Sequence, residues 1–155
     1  MEVKVEPTNS ISKSHKLFVT GLINLSFIFL GLSDCLFGPT LLDLRDIYDT
    51  KVKIITIVVL LRAIGSIIGA FTIGMLLDKY PKIRYFVLFG CTFIMGVCTS
   101  ILSHLQYLWV FFAVSIVSSF ASGSLDTGGN VLCLDTWKAD SGPYLHSIHF
   151  SFAVQ

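Results

Sequence analysis

The chain has 155 residues, of which 54% are hydrophobic and 14% charged, and its mean hydropathy is +0.77. Soluble domains run near one quarter charged, so too few charges remain to cover a water-facing surface, and the polar composition of disordered chains is missing too. Eleven Lys and Arg against ten Asp and Glu give a formal charge of +1, which offers no footprint for nucleic acid and leaves an integral membrane protein as the class.

Residues 1–16 are polar and aperiodic and are expected to form a mobile cytoplasmic tail. A membrane-crossing helix needs about 20 mostly apolar residues, because lipid offers the backbone no hydrogen bonds. The first such run is 17–42, interrupted only by Asp34. It is too long for a secretory signal and lacks a small-residue cleavage site. Six charged residues, Asp43, Arg45, Asp46, Asp49, Lys51 and Lys53, then predict a water-exposed loop. A second span covers 54–77, with Arg62 inside it, and the charged turn Asp78 to Arg84 follows, with Pro81 stopping any helix.

From Tyr85 to Leu125 there is no Asp, Glu, Lys or Arg. As one helix this stretch would be about 60 Å long, twice the bilayer core. It must fold back, and Ser103-His104-Leu105-Gln106 is the polar point for a hairpin between spans 85–104 and 107–134. Asp135 to Pro143 reads as a polar loop, and a fifth, incomplete span occupies 143–155. The fold class is therefore all-α, a polytopic transmembrane helix bundle.

Lys4, Lys13, Lys16, Lys79, Lys82, Arg84 and Lys138 would share one side of the membrane, and Arg45, Lys51 and Lys53 the other. The richer side is expected to be cytoplasmic, with the N-terminus inside. Cys35, Cys91, Cys98 and Cys133 all sit in apolar runs and read as small core residues. Trp109 and Trp137 read as interfacial anchors. His146 and His149 lack further ligands at metal spacing, so packing or an interfacial position is expected of them and no metal site. With no Gly-rich phosphate loop and no nucleophile–base arrangement, neither an enzyme nor a cofactor is expected.

Three ionisable residues, Asp34, Arg62 and Asp126, lie within spans, each costing about 2.5–3.5 kcal/mol near a helix centre. Asn24 and Asn130 share those helices. Such side chains normally face a bundle interior or a wet pathway. At about 1.5 Å per residue, Asp34 lies about 10 Å and Arg62 about 12 Å from the same membrane face, so the two can pair and fix helix register. Asp34 can alternatively carry a proton or a cation. Asp126 and Asn130, four apart, share a helix face beside Gly128-Gly129, where a ligand or another backbone can approach. Asp126 lies far from Arg62 in depth, and a pathway role is expected of it. Ser115, Ser119 and Gly123, and Gly65 with Gly69, read as small-residue packing stripes.

Gly74-Met75-Leu76-Leu77-Asp78-Lys79-Tyr80-Pro81-Lys82-Ile83-Arg84 resembles the loop signature of the major facilitator superfamily. Gly74, Asp78, Lys79 and Lys82 match it, while Pro81 stands for the usual Gly and Ile83 for a base. Asp126-Thr127-Gly128-Gly129-Asn130 is similar to the span-four motif of the fucose-permease-type branch, with Asp for Glu. Gly142-Pro143-Tyr144 and His149-Phe150-Ser151-Phe152 resemble that branch's sodium-dependent glucose transporter-like members. The resemblance implies an alternating-access carrier of a hexose such as glucose, driven by Na+ or H+, in the plasma membrane. Asp34, Asp126 and Thr127 would line the solute or ion pathway with Asn24 and Arg62, and Asn130 would bond the substrate. Gly74, Asp78, Lys79, Lys82 and Arg84 would form a cytoplasmic gating loop, in which Asp78 pairs with bases and a neighbouring helix N-terminus.

Members of the family carry about twelve spans in two pseudo-symmetric halves. The chain would represent the first four to five, so a fragment, a truncated gene product or a short isoform is expected, inactive without the C-terminal half. Two other readings stay open: an orphan carrier of another small solute, and a non-transporting four-span scaffold that binds partner helices.

Overall fold

The computed structural model describes residues 12–47, 52–102 and 107–154. The hairpin read at Ser103 to Gln106 and most of the N-terminal tail lie outside the described residues. Among those described, all regular structure is helical: α1 Lys13–Ile47, α2 Val52–Lys79, α3 Arg84–Leu102, α4 Leu108–Trp137 and α5 Ser141–Ala153, with 3-10 turns at Pro81–Ile83 and Lys138–Asp140. By length and composition, four helices suffice to cross a membrane. α5, with 13 residues, is about 20 Å long. The hydroxyls in these helices bond back to their own backbone, as Thr72 does to Ile68 O at 2.7 Å and Ser124 to Phe120 O at 2.7 Å. That is how a polar side chain is satisfied where lipid supplies no partner.

Three helix ends differ from the sequence reading. α1 starts at Lys13, inside the expected tail, and continues to Ile47, through half of the expected charged loop. Charge argues for water at those residues, not against helix, and no Gly or Pro separates Leu41 from Ile47. The loop expected over Asp135 to Pro143 shrinks to three residues. α4 runs on to Trp137, and Lys138 closes it with φ 49°, its N–H bonding Leu134 O. A side chain in that conformation costs about 1 kcal/mol or more. Pro143 fits the first turn of α5, where backbone N–H groups have no helical partner anyway.

α4 is the hub. It packs most extensively on α2, next on α3, while α1 packs chiefly on α5. α1 turns the stripe Val19, Ile23, Phe27 and Leu30 inward, and α3 turns Leu88, Cys91, Met95 and Cys98. Steps of three and four keep each stripe on one helix face. Cys91, Cys98 and Cys133 are buried free thiols, whereas Cys35 is exposed, contrary to the core role expected of it. Outward lie large apolar groups such as Phe86, Phe89, Ile67 and Phe71, the surface that a hydrocarbon solvent favours.

The α2–α4 contact is built from absent side chains. A Cβ on Gly69 would overlap Phe120 O, and one on Gly123 would overlap Ser66 O. One on Gly65 would come within 2.6 Å of Ser119 Oγ. The two stripes read from the sequence are thus the two faces of one interface, where backbones approach because nothing stands between them. Gly129 serves α1 in the same way, since its Cβ would lie 2.5 Å from the Phe27 ring.

Candidate functional site

Helices α1, α2, α4 and α5 surround a cleft of about 310 Å3, lined by Leu30, Asp34, Ser66, Ser122, Gly123, Asp126, His149 and Phe152. It brings together two carboxylates 92 positions apart (126 − 34) on different helices. Depth counted along each helix had set Asp126 far from the Asp34–Arg62 pair. Such a count ignores tilt, and α1, with 35 residues, exceeds the membrane core by about 20 Å.

The two acids are held differently. Arg62 Nη2 donates to Asp34 Oδ1 at 2.7 Å, and its guanidinium lies 4.1 Å from the Phe37 ring centroid, a cation–π contact. The expected ion pair between α1 and α2 is therefore formed. The Asp34 side chain keeps 41% of its surface open, against 14% for Arg62. Asp126 faces no base among the described ion pairs. Asn130 Nδ2 bonds its carbonyl at 3.0 Å and its Oδ1 at 3.3 Å. Asn130 Oδ1 is buried with no hydrogen-bond partner among the described residues. The cleft thus offers one carboxylate balanced by an arginine and one supported only by a neutral amide.

The remaining expected pathway residues are placed elsewhere. Asn24 Nδ2 donates to Thr20 O at 3.0 Å, and Asn24 Oδ1 accepts from Ser147 Oγ at 3.2 Å and Ser151 Oγ at 2.9 Å. It brackets α1 to α5 and does not line the cleft. Thr127 turns its methyl towards Gly74, at 3.8 Å from where a Cβ would stand. In place of these, His149 and Phe152 enter the cleft from α5. The His149 ring meets Phe27 edge-on, with centroids 6.5 Å apart at 84°. The sequence reading of His149 is packing or an interfacial position, not a cleft wall. The available signal was its position, two turns inside an apolar helix, where an ionisable ring needs a reason to be.

In the segment expected to gate, Asp78, Lys79 and Lys82 are exposed and Gly74 is half-buried. The ion pair present is Arg84 with Asp135 of α4, and Arg84 Nη2 also donates to Leu77 O at 3.4 Å. Arg84 therefore ties the ends of α2, α3 and α4 together, and its acid partner, expected in a loop, belongs to α4. Among the described residues no ion pair involves Asp78. Trp137, at the end of α4, donates from Nε1 to Thr20 Oγ1 at 2.8 Å and stacks on Tyr144, with centroids 3.6 Å apart. Trp109 is 84% exposed.

A four-span bundle with acids facing an internal cleft defines a class, the polytopic membrane protein with a polar interior site. The chain belongs to the Major Facilitator Superfamily, whose profile matches residues 23–149. It is similar to Sodium-dependent glucose transporter 1 of Rattus norvegicus, 28% identical over 148 residues, 95% of this chain and 30% of that protein. It is 35% identical to Sodium-dependent glucose transporter 1 of Homo sapiens over 138 residues, 83% of this chain and 24% of that protein. For the protein of the same name in Danio rerio the figures are 34% over 131 residues, 83% and 21%. The chain thus spans between 21% and 30% of the length of these relatives. No solved structure gives a significant match.

Proposed function

We propose that this chain forms part of a secondary transporter for a hexose such as glucose, coupled to Na+ or H+, and that the cleft is its share of the solute pathway. One observation carries the reading: Asp34 and Asp126, each costly inside a membrane, are not paired with each other but open onto one cavity. A carboxylate held there can exchange a proton or supply oxygen to a cation, and it can accept hydrogen bonds from sugar hydroxyls. Asn130 supports Asp126 from one turn further along α4 and does not itself line the cleft. The names of the similar proteins support hexose and sodium as first choices. Transport is proposed together with a second, pseudo-symmetric half facing the cleft, in the plasma membrane, with the N-terminus cytoplasmic.

The test uses the parent polypeptide, meaning this chain with whatever its transcript adds, reconstituted into liposomes. Radiolabelled glucose uptake is expected under an inward Na+ or H+ gradient. Asp126→Asn should lower gradient-driven uptake at least tenfold and leave exchange across equal ion concentrations less affected. A variant that accumulates glucose as the wild type does would remove the coupling role. Absence of hexose uptake under either gradient would turn the assignment to another solute.

A further inference from the structure

Phe152 has no place in an ion site. A cation needs oxygen ligands, and a proton needs a base. Yet Phe152 lines the cleft, with 41% of its surface open. It stands three residues after His149, on the same face of α5. The cleft therefore has two unlike walls. α1, α2 and α4 contribute the acids Asp34 and Asp126 and the small polar residues Ser66 and Ser122, with Leu30 and Gly123 beside them. α5 presents an aromatic ring beside an imidazole, which is steadied by its edge contact with Phe27.

We infer that Phe152 is a specificity-determining residue, and that it selects solutes shaped as rigid rings with hydroxyls at the rim and C–H groups on one face. This rests on the transport reading and deepens it. A pyranose in its chair form is such a ring. Its hydroxyls point outward to acceptors and donors, and its axial C–H bonds point at a flat surface. The negative face of a phenyl ring attracts polarised C–H groups. An open-chain hexitol carries the hydroxyls but no rigid apolar face. It reaches the carboxylates and His149 equally well and gains little from Phe152. Orientation follows as well: the ring lies against α5 with its hydroxyl edge turned to Asp126 and Asp34.

Two solutes separate this from a packing role. Glucose uptake by the parent polypeptide is measured together with its inhibition by glucitol. Phe152→Ala is expected to raise the KM for glucose about fivefold, leaving the inhibition constant of glucitol unchanged, so the ratio of the two collapses. Phe152→Tyr keeps the ring and the ratio. Phe152→Leu keeps the bulk without the π face and collapses the ratio as alanine does, which covers the case in which alanine disturbs the helix. His149→Ala weakens glucose and glucitol alike, since a hydroxyl partner is lost to both. Normal glucose uptake with an unchanged ratio in Phe152→Leu overturns this inference alone, as does equal weakening of both solutes. A wild type that takes up no hexose overturns the transport reading, and this inference falls with it.

Discussion

At the scale of single residues, the informative feature is charge in an apolar run. Asp34, Arg62 and Asp126 stand out in the sequence because a membrane rejects unpaired charge; the cleft accounts for the two acids, and the pair with Asp34 accounts for Arg62. Neutral polar residues carried no such signal. Asn24 brackets two helices through Ser147 and Ser151, and Thr127 packs on Gly74. An amide or a hydroxyl can be satisfied by its own helix or a neighbour, so its presence in a span says little about water. The Asp34–Arg62 pair makes a quantitative expectation. Arg62→Gln leaves a carboxylate at depth without its counter-charge, whereas Asp34→Asn with Arg62→Gln leaves none. The single variant should be less stable than the double by about 1–2 kcal/mol, read as resistance to thermal denaturation in detergent. Equal stability of the two would mean that the pair contributes nothing to register.

At the scale of elements, two short patterns of small residues carry the α2–α4 interface. Each was visible alone as a stripe, but that they face each other is a fact of the fold. Substitution by alanine tests it through the methyl added. Gly69→Ala and Gly123→Ala place a Cβ against the carbonyls of Phe120 and Ser66, and each should lower stability by about 1–3 kcal/mol. Gly21→Ala and Gly96→Ala meet open space and should be neutral or slightly stabilising, since alanine favours helix. Similar losses at all four positions, measured by thermal unfolding in micelles, would deny a close helix crossing. Helix ends were less legible. α1 ran past the point where charges begin, and the α4–α5 turn depended on a backbone conformation at Lys138 that no side-chain preference announced.

At the scale of the whole molecule, the basic residues concentrate at the end where α1 begins, α2 meets α3 and α4 meets α5, with Lys13, Lys16, Lys79, Lys82, Arg84 and Lys138. The same end is tied by Arg84 to Asp135 and by Trp137 to Thr20. If that end is cytoplasmic, a membrane-impermeant amine reagent added outside intact cells should leave Lys79 and Lys82 unmodified and should reach both once the membrane is opened. Both side chains are exposed in the fold, so labelling of intact cells would mean the opposite orientation.

Composition, the spacing of charges and the length of apolar runs determined by themselves that this is a helical membrane protein with acids at depth, and the motifs at Gly74–Arg84 and Asp126–Asn130 already resembled the Major Facilitator Superfamily, to which the profile match assigns it. These properties are local, because lipid acts on each segment separately and punishes each misplaced charge where it stands. Tertiary structure alone decided which of those residues meet. Asp34 and Asp126 share one cavity, His149 and Phe152 complete it, Asn24 and Thr127 turn to packing, and Arg84 finds Asp135. Such meetings depend on helix tilt, rotation and the closeness of approach at glycine, and a linear pattern encodes none of these until the helices pack.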